Sequence, residues 1–409
     1  MNPLIRSSLC PRRTVVLLAV LFVTVVSAQA QTLTLLHTFT SRPDGLTPIG
    51  GVIQDQAGNL YGTTARGGTG TQGTVFKIDP SGHEMVLFNF ASRPVGLDPE
   101  AGLVIDSSGN LYGTTELGGS QGKGTIFKID PSGHETVLHS FLCCPPLGKN
   151  PVASLILDGA GNLYGTALNG GDQAENGTVF KLSPSGTLTV LHEFNGRNQV
   201  LSLNPTGFVS DGINPRGPLF LDGSGNLWGT TYQGGSNNKG TVFVISNTGQ
   251  YFLFYNFGSS GGNADGKWPA AGVILDPSRG VVGTCSNGGT HNGGTVFQID
   301  GNAETVLHNF GAPGDGQWPL GGLAIDANGN LYGTTSSGGA GQLAGNVFKI
   351  DNAGNYSVLH SFNGSSDGAA PAAGVIVGAD GSLYGTCSEG GPGNGFFGIG
   401  GTVFKLTLP

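Results

Sequence analysis

The sequence predicts an all-β fold, a seven-bladed β-propeller with four antiparallel strands per blade. Three observations predict it. The phrase Leu-Tyr-Gly-Thr recurs with its aromatic at Tyr61, Tyr112, Tyr164, Trp228, Tyr332 and Tyr384, and a degenerate seventh copy puts Val282 in that slot. A second phrase, Gly-Thr-Val-Phe-Lys with small variations, places Phe at 76, 127, 180, 243, 297, 348 and 404, and a loop proline recurs at 48, 99, 151, 215, 269, 319 and 371. Three markers therefore count seven, at steps of 51, 52, 64, 54, 50 and 52 residues, and the long step holds an insertion around Asn195 to Ser210. Finally, the ends split one repeat: Leu33 to Phe39 matches the last strand of a copy, and Thr402 to Leu406 matches the strand before it.

Within one copy four strand signals follow in order. Strand A is the apolar run Gly102 to Asp106, strand B is Asn110 to Thr115, strand C is Thr125 to Asp130 and strand D is Glu135 to Phe141. Each is short, rich in β-branched and aromatic residues, and bounded by Gly, Pro, Asn or Ser. Strand A lacks polar alternation, as expected of a strand covered on both faces. One four-stranded sheet cannot cover both its own faces, whereas a closed ring of such sheets can. The N-terminal strand is expected to complete the last blade and close the ring.

Gly and Pro together make 97 of the 409 residues, a level that suggests disorder when it is aperiodic. Here the glycines are periodic and read as turn residues. Residues 1–30 read as a signal peptide, with Arg6, Arg12 and Arg13 ahead of the apolar run Thr14 to Ser27 and small residues at Ala28 and Ala30. The run is shorter than the roughly 20 residues a membrane helix needs. The expectation is a mature propeller over 31–409, secreted or periplasmic, without a membrane span. Cleavage removes three arginines and no acids, leaving 15 basic against 26 acidic residues, a net charge of −11. That balance, without a basic cluster, argues against nucleic-acid partners. Cys285 and Cys387 hold the same position in copies two blades apart. Stacked sheets sit about 10 Å apart and a disulfide needs Cα atoms within about 7 Å, so no bridge between them is expected. The redox state of the neighbours Cys143 and Cys144 is left open.

The phrases GNLYGTT, GG and GTIFK at 109–115, 118–119 and 124–128 carry a resemblance. Residues 32–407 resemble the tandem repeat of Gloeobacter and Verrucomicrobium proteins, the GloVer repeat. The strand layout is similar to NHL-type and virginiamycin-lyase-type propellers. The resemblance implies secreted or surface proteins of unassigned activity, often with a C-terminal anchor. This chain stops at Pro409 without a sorting tail, so anchoring is not expected.

Repeating polar residues read as structural. His37, His139, His192, His308 and His360 share a strand D slot that Phe88 and Tyr255 fill in the other copies, so the slot wants a flat ring for packing. Asp55, Asp106, Asp158, Asp222, Asp276 and Asp326 end strand A and read as turn caps. Asp44, Asp211, Asp265, Asp315 and Asp367 precede Gly in the D–A loops. Calcium is the one cofactor weighed there, and a single acid per loop falls short of the roughly six to eight oxygens it needs. The Gly-Gly pairs of the B–C loops lack the following helix and Lys of a phosphate loop.

Residues that break the repeat carry the functional expectation. The B–C and D–A loops emerge on one face. On it stand Trp268 and Trp318 before two loop prolines, and Arg66, Glu116, Tyr232 and Glu389 before Gly-Gly pairs, with His291 in a B–C loop. Two aromatic platforms among varied polar loops suit a polysaccharide or a protein ligand. The bland alternative makes each Trp a plug between blades. The leading expectation is a non-enzymatic, monomeric binding module. A metal-assisted lyase or lactonase-like hydrolase built on His291, Glu116 and Glu389, and a structural envelope or matrix protein, are the alternatives.

Overall fold

A computed structural model describes residues 31–409 except 41, 143–147, 172–174, 197–209, 259–264, 302, 340–343, 395–397 and 399. The targeting-segment reading, the Cys143–Cys144 pair and most of the insertion lie outside the described residues. Seven four-stranded antiparallel sheets form the ring, and no helix occurs among the described residues. Blade 1 shows the pattern: strand A is Ile53–Gln54, B is Leu60–Thr64, C is Thr74–Ile78 and D is Glu84–Asn89. Blade 7 takes its A, B and C strands, Ile376–Val377, Leu383–Cys387 and Thr402–Thr407, from the end of the chain. Its D strand is Thr32–Thr38 from the beginning, paired from Thr32 with Thr407 to Thr38 with Thr402. The ring is therefore closed by hydrogen bonds between the two ends, as the split repeat predicts.

Strand A is shorter than the sequence predicts. Gly102 to Asp106 contributes only Val104–Ile105 to the sheet. The reason is crowding at the axis. A Cβ on Gly50 would come within 2.7 Å of the Ala101 backbone, and one on Gly321 within 2.2 Å of the Gly374 backbone. The first residues of each A segment thus run against the neighbouring A segment and line the channel instead of pairing with strand B.

The repeated phrases interlock. The Gly of Leu-Tyr-Gly-Thr lies under the Phe of the facing strand C, and at all seven positions a Cβ there would sit 2.5 to 2.7 Å from the Phe ring. That Phe also meets, edge to face, the Phe ending strand D of the preceding blade, with centroids 5.0 to 5.4 Å apart around the ring. The contact of Phe39 with Phe76 at 5.1 Å carries the pattern across the closure. The following Thr ties the blade to its other neighbour: Thr63 Oγ1 donates to the Ala101 carbonyl of blade 2 at 2.7 Å, and Thr386 Oγ1 to Gly50 of blade 1 at 3.0 Å.

The turn-capping aspartates behave as predicted. Asp55 Oδ1 accepts the Ala57 and Asn59 amides at 2.9 and 2.8 Å, and its Oδ2 accepts the Tyr61 hydroxyl at 3.1 Å. The degenerate copy explains itself here. Val282 cannot donate, and Arg279 takes over, reaching Asp276 at 2.6 Å and the carbonyls of Gly329 and Asp351 in blade 6 at 2.8 and 2.9 Å. Cys285 and Cys387 are free, buried thiols, as the spacing argument requires.

Two stability outcomes follow. Phe39→Ala empties a fully buried site at the closure and is expected to lower stability by about 3–5 kcal/mol, read from the guanidinium midpoint. Gly333→Ala forces a methyl into the Phe348 ring and should lower the same midpoint by about 1–3 kcal/mol; an unchanged midpoint would refute the contact.

Candidate functional site at the axial mouth

Strand D carries one extra residue in every blade, so its register shifts against strand C, as between Val75 and Phe76 in blade 1. Such a bulge re-aims the next side chain, and that side chain is the shared ring slot. The histidines there do pack as rings: His37 meets Phe39 edge-on at 4.7 Å and His308 meets Phe310 at 4.7 Å. They also do something the packing reading omits. His37, His192, His308 and His360 each bond the D–A loop aspartate through Nε2, at 3.0, 3.1, 2.9 and 2.9 Å to Asp44, Asp211, Asp315 and Asp367. The aspartates weighed for calcium thus hold the loops onto strand D, and Asp44 Oδ1 further accepts the Gly45 amide. Where the ring is Phe88, the loop residue is Val95, so that blade lacks both acid and imidazole. His139 Nε2 is buried without a partner, and burial pushes its pKa down.

Blade 5 varies the clamp. Tyr255 donates to Glu304 Oε2 at 3.1 Å, the Gly266 amide donates to Oε1 at 3.3 Å, and the Glu304 carboxyl bonds the Asp265 side chain. Two carboxyls can bond only if they share a proton. Burial first, then Asp265, lift Glu304 to about 9. Burial and the charge of Asp44 similarly lift Glu84 to about 7.

These clamps fix loops that build the mouth of the channel. The D–A loop is bonded to the B–C loop in every blade, as a two-residue ribbon in blades 5 and 6 and a single bridge elsewhere. The residue before each loop proline, Trp268 and Trp318 included, sits at φ between 52° and 58°, a left-handed conformation that strains bulky side chains. Its carbonyl accepts the amide of the first variable B–C residue: Thr47 from Ala65, Asp98 from Glu116, Asn214 from Tyr232, Trp268 from Ser286. The residue after each proline turns toward the axis. There a cavity of about 350 Å³ is lined by Gly, Ala and apolar residues together with two charged ones, Glu100 and Arg216.

The mouth is not sevenfold in character. On blade 4 the Arg216 guanidinium lies 4.6 Å over the Tyr232 ring, and Tyr232 stacks with Trp268 of blade 5 at 6.0 Å. On blade 6 Trp318 is 46% exposed and Leu320 37%, so Trp318 does not plug a seam. On blade 2 Glu100 and Glu116 face Asp98, with Arg66 of blade 1 and Arg216 of blade 4 within electrostatic reach. Burial is the main cause that raises Glu100, Glu116 and Asp98 above ordinary carboxyl values. Of the sequence candidates, Tyr232 stacks with Trp268, and Arg66 and Glu116 lie in the field of Asp98 and Glu100, but none of the four lines the axial cavity. Glu389 bridges Ala369 on blade 7 through its backbone. His291 stands exposed, its Nδ1 bonded to Thr290 at 3.0 Å, beside Gly311 just past the end of the outer strand of its blade. Among the described residues no three His, Cys, Asp or Glu are grouped to hold a metal.

Sequence reasoning missed Glu100 and Arg216. The signal was available: aligned on the loop proline, the next residues are Ile49, Glu100, Val152, Arg216, Ala270, Leu320 and Ala372. Two charged residues stand out in an otherwise apolar slot.

The Gloeobacter/Verrucomicrobia repeat matches residues 21–208 and 199–404, nearly the whole described ring. The chain belongs to this repeat family. No curated protein matches its sequence. Among solved structures, the repeat-family ring is similar to streptogramin B lyase, with TM-score 0.57 and 17% identity over 93% of this chain and 99% of that one. It is also similar to virginiamycin B lyase from Staphylococcus aureus, with TM-score 0.53 and 13% identity over 93% and 100%. At such identities the likeness is one of fold.

The Glu304 clamp has a measurable signature. Its folded pKa of about 9 stands above the ordinary 4.5. The folded chain therefore keeps a proton that the unfolded chain releases, and stability falls as pH rises through that window. In Glu304→Gln this loss is expected to vanish, so the drop in melting temperature from pH 5 to pH 9 should be smaller than in the parent protein. Equal drops would contradict the shared proton.

Proposed function

We infer that this repeat-family propeller is an exported binding module whose ligand, a glycan or a protein segment, lies across the mouth formed by the D–A and B–C loops. One observation carries the reading: seven near-identical blades present mouth residues that differ, with the aromatic ones contiguous. Tyr232, Trp268 and Trp318 follow one another on blades 4, 5 and 6, with Trp318 open to solvent. Aromatic faces of this kind stack on sugar rings and pack against peptide side chains. A purely structural matrix protein gives no reason for the aromatic residues to gather on one side.

The enzymatic alternative, a metal-assisted lyase or lactonase-like hydrolase, draws on the lyase folds above. It needs a base converging with Glu116 and Glu389, and His291 stands at the outer edge of blade 5 instead. Binding is therefore the reading the geometry supports best.

Trp268→Ala with Trp318→Ala is expected to weaken binding to glycan arrays or immobilised peptides at least tenfold, about 1.4 kcal/mol or more, with an unchanged melting temperature. Binding that survives the double substitution would remove this mouth from consideration.

A further inference from the structure

The charged residues of the channel point to the chemistry of a small ligand. Glu100 and Arg216 occupy the same register position, one residue past the loop proline, on blades 2 and 4. They are the charged groups lining the cavity of about 350 Å³. Each lies in the other's field, yet the two form no ion pair. The Arg216 guanidinium is parked over the Tyr232 ring at 4.6 Å. The Glu100 carboxylate, partly withdrawn from water, has no hydrogen-bond donor among the described residues. A carboxylate and a guanidinium that line one channel without pairing leave a gap that complementary charges on one molecule would fill.

We propose that the channel takes a short zwitterionic peptide, its ammonium at Glu100 and its carboxylate at Arg216. The inference rests on the binding reading above and assigns the ligand class of its axial part. A guanidinium keeps its charge at every working pH and presents a fork that matches a carboxylate with two parallel hydrogen bonds. Tyr232 pre-orients that fork. On the other side an ammonium supplies the donor Glu100 lacks, and Val152 on the intervening blade gives the span an apolar floor. The cavity lies at the lower end of small-molecule sites, roughly 300 to 1,000 Å³, which suits two or three residues of backbone.

Burial, followed by Glu116 and Asp98, raises Glu100, while Arg66 and Arg216 oppose the shift. Ammonium binding requires the ionised form. Affinity should therefore fall as pH drops through a range above that of an ordinary glutamate.

The test uses triglycine, N-acetyl-triglycine and triglycine amide with the intact protein in isothermal titration calorimetry. Triglycine is expected to bind, and removal of either end charge should weaken it at least tenfold. Glu100→Gln should abolish the discrimination against the acetylated form and leave that against the amide; Arg216→Gln should do the reverse. Each variant is checked for an unchanged melting temperature, and Arg216→Lys gives a second, charge-retaining variant. No heat with triglycine at millimolar concentration, or equal binding of all three peptides, overturns the assignment. If that happens while larger ligands still depend on Trp268 and Trp318, the charge inference falls and the binding reading stands. If triglycine binds and the tryptophans are dispensable, the converse holds.

Discussion

A phenylalanine lying over a glycine holds each blade to the next. The ring of Phe76, for example, leaves no room for a Cβ on Gly62, and its edge takes the ring of Phe39 from the preceding blade. The arrangement needs three residues from two blades and works only if the spacing between sheets is the same at every seam. Seven repetitions make that spacing the rule of the whole ring. Packing at this density tolerates little change in volume, which is why the Gly and the Phe recur in every copy while the loops do not.

A scaffold fixed in this way frees the mouth. Strand ends arrive at set positions, the D–A and B–C loops are bonded to each other in every blade, and the side chains beyond them differ from blade to blade. The clamps between strand D and the D–A loop show how far variation can go without moving the backbone. His308 with Asp315, Phe88 with Val95, and Tyr255 with Asp265 and Glu304 support equivalent loops by a hydrogen bond, by apolar contact and by a shared proton. The chemistry of the support differs and its geometry does not.

At the mouth these freedoms produce two unlike halves. Blades 1 and 2 bring Arg66, Asp98, Glu100 and Glu116, and blades 4 to 6 bring Tyr232, Trp268 and Trp318, with Arg216 reaching from the aromatic half toward the acidic one. The shell is sevenfold and the mouth is one-sided: the repeat supplies rigidity, and its exceptions supply the variation on which the binding proposal rests.

The repeats alone determined the blade count, the order of the strands and the closure by the first strand, because each rests on local spacing and on which segments lack a partner. They also marked the turn-capping aspartates and the aromatic pair at Trp268 and Trp318. Only the tertiary structure decided what meets at the axis. Strand A pairs over two residues instead of five because seven backbones crowd there, and His37 finds Asp44 because a bulge turns it toward the loop. Glu100 and Arg216 are 116 positions apart in the chain and face one channel only because a closed ring brings every proline-following residue to its centre. Contacts of that kind depend on the radius at which the ring closes, a quantity set jointly by all seven seams and by no single stretch of residues.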